Sequence, residues 1–464
     1  MSDDAVAGGN SQSRRHYVAP WHLAYLILGV ITSGLLRFLL PLMVATTTHD
    51  LGHIAYIVGA YNLRLLPAPL LGLVAERYQF FRPVFFGGFI LLALSLGAVT
   101  DAAAIGVWVC LAMLCGLGAG AVATVAPLFV VDWNPRIGWL QSFSGAGQLT
   151  GLLIAGLIAR GPLAYGFWLA AAFSVLAIVV GHFGLPSDTR PHGMPLPPLA
   201  WRRLMGGFHS GPPVGGLLHH SHHLQGEGLS LLRKAAGGAF GRFLSAWAAI
   251  NFGVAPFFAY YPLMMNDGYS IVPATTALLY ALAAAVGIGL FVLAGRVARQ
   301  HGPGLVFRVG LAVRLAGFGT FAALTLLSPS AIPALAMLGF ILVVLAWPVI
   351  SVSGTGLAAS LTPIGEGAAM GLLAASSAMA TLAGTILTGP LIQAVGYQVV
   401  APIAIVGLLS AAVLTGQLHG ELSPDGADDG GGGGLETALV RPDAVPGSSP
   451  SSDISTGNPE ASAR

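Results

Sequence analysis

Three arginines stand inside long apolar runs of the sequence, at Arg37, Arg64 and Arg314. A guanidinium stays charged and donates hydrogen bonds in a planar fork that matches a carboxylate or a phosphate. If these runs lie in a bilayer, each arginine at mid-depth costs about 2.5–3.5 kcal/mol and requires a partner or a ligand. The three residues are therefore the first candidates for binding a polar or anionic molecule.

Spacing along the chain suggests which neighbours share a face with these arginines. Ser33 and Arg37 are spaced i, i+4, and Tyr61 and Arg64 are spaced i, i+3. At the rise of an α-helix, Arg37 lies roughly 10 Å and Arg64 roughly 20 Å from the outer ends of their runs, so they bracket the midplane. The competing interpretation is that each arginine only ties helices together, and we favour it for Arg314, whose run we expect at the periphery.

Other polar or aromatic residues inside apolar runs are weaker candidates for a substrate cavity: Gln148, Asn251, Tyr260 and Trp347. Asn251 is the most costly of them to bury without a partner. Aromatic side chains at such positions more often serve packing or the membrane interface.

The acidic residues have the opposite distribution. All 18 Asp and Glu fall in loops, tails or the ends of apolar runs, including Asp50, Asp101, Asp267 and Glu366. Arginines without carboxylates in the same region favour an anionic or neutral polar solute, and they argue against proton coupling through a carboxylate at mid-membrane.

Composition places these residues in a membrane protein. The 464 residues are 55% hydrophobic and only 8% charged, whereas soluble domains carry about 25% charged residues. With a net charge of +2 we expect no nucleic-acid partner. Cys110 and Cys115 are interpreted as small membrane residues. The polar N-terminus, ending in Arg14 and Arg15, does not resemble a cleavable signal.

Twelve apolar runs are long enough to cross about 30 Å of hydrocarbon as helices, which predicts an all-α polytopic protein. They are 20–44, 51–74, 83–100, 104–131, 137–159, 164–185, 243–265, 271–294, 305–327, 331–351, 368–395 and 399–418. Arginine and lysine concentrate in alternate loops, and Arg160 stands alone on the opposite side. By the positive-inside rule both termini are expected in the cytoplasm.

The chain divides into two halves of six runs. We predict an N-terminal tail over 1–19, bundles over 20–185 and 243–418, a linker over 186–242 and a disordered tail over 419–464. The halves echo each other: LPLMV from Leu40 ends the first run as YPLMM from Tyr261 ends the seventh. Parallel six-helix repeats place a substrate site between the halves, near the midplane.

The loop after the second run carries the most specific motif. Gly72, Glu76 and Arg77, followed by Arg82, resemble the loop signature of the major facilitator superfamily, in which a tight glycine turn precedes a cytoplasmic charge cluster. The resemblance extends over 20–418 and implies that twelve helices form two bundles, that the first, fourth, seventh and tenth line a cavity, and that Asp132 and Arg136 pair with the loop as a gate.

Glu76 stands in place of the usual Asp, and the second basic residue is displaced to Arg82. The fifth run also lacks the Gly-Pro pair of drug antiporters. The resemblance therefore implies a secondary active transporter moving a small anionic or polar organic solute by alternating access, with no cofactor, and expected as a monomer in the inner membrane.

Three alternatives remain open. One is a drug or metabolite efflux pump of the same family. Another is a non-transporting assembly or sensory protein on the same fold, against which the arginines in the expected cavity argue. A membrane enzyme is disfavoured, because no acidic pair or metal-spaced set appears. The cluster at His219, His220, His222 and His223 lies among glycine and proline and is interpreted as a solvated linker rather than a metal site.

Overall fold

A computed structural model describes residues 22–63, 80–102, 104–126, 133–185, 237–326, 333–362 and 366–417, with backbone only over 133–141 and 366–368. These residues form helices joined by short connections. The helices are α1 (His22–Thr48), α2 (Leu51–Asn62), α3 (Phe81–Val99), α4 (Ile105–Val125), α5 (Trp133–Ile158), α6 (Ala164–Gly184), α7 (Gly238–Gly268), α8 (Pro273–His301), α9 (Pro303–Leu326), α10 (Pro333–Leu361), α11 (Glu366–Val395) and α12 (Val400–Gly416).

The helices coincide with the twelve predicted runs, which confirms the all-α polytopic fold. In the described part of the chain, ten helices are long and apolar enough to cross a membrane, and α2 and α5 occupy the two remaining positions. Several helices are longer than predicted: α7 begins at Gly238 and α8 continues to His301. These helices are longer because a helix can continue past the point where its apolar stretch leaves the hydrocarbon.

Local sequence sets the ends of the helices. His49 adopts a left-handed conformation (φ 52°) that ends α1. The carboxylate of Asp50 then accepts a hydrogen bond of 2.7 Å from the Gly52 amide and caps α2. Pro273 opens α8 at a position where no amide hydrogen is needed. The α1–α2 turn is therefore short and fixed.

Glycines bring α1 and α5 into backbone contact. A side chain at Gly147 would meet the Leu26 carbonyl, and one at Gly151 would meet Val30 and Gly34. A π-helical turn, Val30–Leu35, interrupts α1 at this contact, four residues after Leu26. Gly156, the third glycine of the same run, instead approaches Ala277 of α8.

The second half repeats this arrangement. Helices α7 and α11, which correspond to α1 and α5, also touch through glycine, since a side chain at Gly384 would meet the backbone of Phe252. The halves meet through α1 with α7, α2 with α7 and α11, and α5 with α8. The same helix pair is thus closely packed in each half, as expected for a six-plus-six repeat.

The close approach of α1 and α5 can be tested by adding one methyl group. We expect Gly151→Ala to lower stability by about 1–3 kcal/mol, because overpacking forces the backbones apart. Thermal unfolding of the detergent-purified protein would measure it. Gly87→Ala is the control, since nothing lies within 4 Å of its added carbon. Equal melting temperatures for the two variants would contradict the predicted contact.

Candidate functional site

Arg37 reaches from the first half of the chain to the second. Its Nη1 donates a hydrogen bond of 3.0 Å to the Tyr280 hydroxyl on α8. Its guanidinium carbon also lies 5.0 Å from the centroid of the Phe258 ring on α7, a cation–π distance. The Arg37 side chain is nevertheless exposed rather than enclosed. It therefore contacts the second half without being enclosed by it.

Arg314 of α9 approaches the same ring from the second half. Its guanidinium carbon lies 5.7 Å from the Phe258 centroid and 5.5 Å from the Trp347 ring on α10. The residue is 1% exposed, and its Nε and Nη1 have no hydrogen-bond acceptor. An unpaired buried guanidinium is costly, so this position is unusual for a residue that only packs.

Aromatic rings surround the two guanidinium groups. Tyr261 packs edge-on against Tyr280 with centroids 5.5 Å apart, and Phe340 lies 5.7 Å from Tyr280. The Tyr261 hydroxyl is buried and also has no partner. We call Arg37, Phe258, Tyr261, Tyr280, Arg314 and Trp347 the arginine–aromatic cluster.

No described carboxylate pairs with either arginine of the cluster. Within the described ranges, the ion pair that forms is His53 with Asp50, at 3.6 Å, in the first turn of α2. Asp267 instead accepts hydrogen bonds from Asn266 and Tyr397 near the ends of α7 and α11. The cluster therefore keeps its positive charge without a protein counterion among these residues.

The structure brings together only some of the residues predicted for a cavity. Arg37 and Trp347 belong to the cluster, and Trp347 is 37% exposed. Ser33 and Gln148 are half-buried on α1 and α5, and Tyr61 is buried in α2. Asn251 is half-buried and donates a 2.8 Å hydrogen bond to the Trp247 carbonyl in its own helix, which satisfies part of its polar group.

Tyr260 lies away from the cluster, beside the α1–α2 turn. Its hydroxyl donates a 2.7 Å hydrogen bond to the carbonyl of Leu51, the first residue of α2. Nearby, Gly389 of α11 packs against Ala55, and Gly52 lies beside the Gln393 side chain. The two halves are thus joined at the end of the bundle that carries the α1–α2 turn.

The predicted gating loop is described only in part. Arg64, Gly72, Glu76, Arg77 and Asp132 lie outside the described residues, and Arg136 is described by its backbone alone, in α5. Arg82 is described: its Nη2 donates a 2.8 Å hydrogen bond to the Leu185 carbonyl. Arg82 therefore connects the start of α3 to the end of α6.

Sequence reasoning did not identify Tyr280 and Phe258 as neighbours of Arg37, and it favoured a packing role for Arg314. The charge of Arg314 inside an apolar run was a visible signal. Nothing in the sequence distinguishes Tyr280 or Phe258 from other aromatic residues in the spans.

An apolar groove of about 760 Å³ lies elsewhere, between α7, α11 and α12. Its walls include Phe252, Met379, Ile403 and Val406, and its polar groups are the hydroxyls of Ser376 and Ser410. No charged side chain lines it, so it offers nothing to recognise an ionic solute.

The fold is that of a polytopic transporter built from two six-helix halves. The sequence model of the Major Facilitator Superfamily matches residues 23–363, and the chain belongs to this family. It is a membrane transporter in family and fold rather than an enzyme.

Solved structures support the same fold. A mutant of the nucleoside transporter NupG aligns with a TM-score of 0.66 at 12% identity, covering 87% of this chain and 99% of that one. NupG itself aligns with a TM-score of 0.64 at 12% identity, covering 86% of this chain and 96% of that one. An auto-inhibited POT family peptide transporter gives 0.63 at 13% identity, with the same coverage. No curated protein matches the sequence. At these identities the likeness shows the fold alone.

The hydrogen bond from the Tyr260 hydroxyl to the Leu51 carbonyl is expected to hold the two halves together at the α1–α2 turn. Tyr260→Phe removes a bond worth about 1 kcal/mol, so the junction should open roughly fivefold more often. Labelling of a cysteine introduced at the buried Ala55 by a thiol reagent would measure the opening.

Tyr397→Phe is the matched control. It also loses a tyrosine hydroxyl, but that hydroxyl donates to Asp267 within the second half. Equal labelling rates in the two variants would show that Tyr260 does not hold the halves together.

Proposed function

We propose that the protein is a secondary active transporter that moves a small organic anion by alternating access. The observation that supports this proposal is that Arg37 and Arg314, one in each half, both lie at cation–π distance from Phe258. Neither is paired with a described carboxylate. A mobile anion would supply the missing negative charge at the place where the halves face each other.

Arg37 is placed where movement of one half against the other would change its contacts. It belongs to α1, but its hydrogen-bond acceptor, Tyr280, belongs to α8. A rocking motion of the halves would lengthen this bond, so a solute that binds Arg37 and the second half together would favour the conformation in which they are close.

The conformation supports a direction of opening. Leu51 with Tyr260 and Ala55 with Gly389 join the halves at the end that carries the α1–α2 turn. We infer that this end is closed and that the solute enters from the opposite end. With the positive-inside orientation, that opposite end faces the cytoplasm, both termini are cytoplasmic and the membrane is the inner one.

Efflux of a metabolite or drug is compatible with the same site, since a cytoplasm-facing state loads an exporter. A non-transporting assembly or sensory role has less support, because such a role gives no reason to leave two arginines uncompensated between the halves. We further propose that a single chain is the functional unit, since the cluster is built within it.

The proposal predicts selectivity for charge. Protein reconstituted into vesicles should take up benzenesulfonate in preference to benzyltrimethylammonium, which has a similar ring and the opposite, permanent charge. Arg37→Ala should reduce anion uptake about tenfold or more, as expected for loss of a charge-assisted hydrogen bond. Arg37→Lys should retain part of it.

Arg160→Ala is the control, because Arg160 is exposed in the α5–α6 connection. Preference for the cation in both the wild type and Arg37→Ala would overturn the proposal. Absence of movement of either ion would favour the non-transporting alternative.

A further inference from the structure

The arginine–aromatic cluster has more hydrogen-bond donors than acceptors. Arg314 presents two buried N–H groups without acceptors, and Tyr261 presents a buried hydroxyl in the same state. The acceptors among the six side chains of the cluster are the Tyr261 and Tyr280 hydroxyls, and Tyr280 already accepts a hydrogen bond from Arg37. A group that only accepts hydrogen bonds, such as a carboxylate or a sulfonate, complements this set.

Trp347 lies beside the buried Arg314 in the second half of the chain. Its ring lies 5.5 Å from the Arg314 guanidinium, and the side chain is 37% exposed although its helix is long and apolar. A second ring, that of Trp247 on α7, lies 6.1 Å away and is held by a 2.6 Å hydrogen bond from its Nε1 to Ser377. The Trp347 side chain is thus partly exposed next to a buried charge.

We infer that the transported solute is an aromatic anion. Its charged group would bind Arg314 and Tyr261, and its ring would stack on Trp347. This inference rests on the proposed function and adds to it the class of solute and a role for Arg314.

The geometry explains why both groups are needed. Arg314 is 1% exposed, so a small hydrated anion gains little by leaving water for it unless apolar surface is buried at the same time. Stacking of an aromatic body on Trp347 provides that surface.

Binding of three sulfonates to the purified wild-type protein tests the inference without any variant. Benzenesulfonate, cyclohexanesulfonate and methanesulfonate carry the same permanent charge and differ only in the body, and isothermal titration measures their affinities. We expect benzenesulfonate to bind about tenfold more tightly than cyclohexanesulfonate, since an aromatic pair gains stabilisation beyond the apolar area that it buries. Methanesulfonate should bind most weakly.

Variants assign the two parts of the site. Trp347→Leu should abolish the preference for benzenesulfonate over cyclohexanesulfonate, and Trp347→Phe should preserve it. Trp168→Leu is the control, since Trp168 is 51% exposed on α6 and is not in the cluster. Arg314→Ala should weaken all three sulfonates by about tenfold. Arg314→Lys, which keeps the charge, serves if the alanine variant does not fold.

The outcomes separate the two proposals. If the folded protein binds no anion, the proposed function fails and the inference fails with it. If anions bind and are transported, but without an aromatic preference, or with one that survives in Trp347→Leu, only the inference is overturned. Unchanged affinities in Arg314 variants that melt at the wild-type temperature would remove Arg314 from the site.

Discussion

The central constraint in this structure is the placement of positive charge between two apolar halves without a protein counterion among the described residues. Arg37, in the first half of the chain, and Arg314, in the second, both lie at cation–π distance from the Phe258 ring. A guanidinium is costly to place in a membrane. Arg37 donates a hydrogen bond to the Tyr280 hydroxyl, whereas Nε and Nη1 of Arg314 have no acceptor. Aromatic faces stabilise the charges partly. In the proposed transporter, a bound anion would offset the remaining cost.

The helices position this charge through backbone contacts that leave little freedom. Gly147 and Gly151 hold α1 against α5, and the π-helical turn Val30–Leu35 lies at that contact, just before Arg37 in the chain. An inserted residue in a helix rotates everything that follows it by roughly 100°. The direction in which Arg37 leaves α1 therefore depends on the packing of two helices in the first half, although its partners lie in the second.

The sequence was sufficient for the fold and for one part of the site. Runs of apolar residues near twenty in length predict spans directly, because the bilayer fixes the length of a helix that crosses it. A charge inside such a run indicates Arg37 as a cavity residue, whereas Arg314, in a run expected at the periphery, is assigned to packing. Contacts between distant helices leave no periodic signal. Tyr280 and Tyr260 both lie inside predicted spans, yet one meets Arg37 and the other the Leu51 carbonyl.

Tyr260 and Tyr261 are adjacent in α7 but contact different parts of the molecule. Consecutive residues on a helix point about 100° apart, so Tyr260 faces the α1–α2 turn while Tyr261 faces Tyr280 and Phe340. A small rotation of α7 would move both side chains at once. Release of the Leu51 carbonyl and rearrangement around the arginines would then be a single event, which is the physical requirement for coupling the occupancy of a binding site to the opening of the bundle.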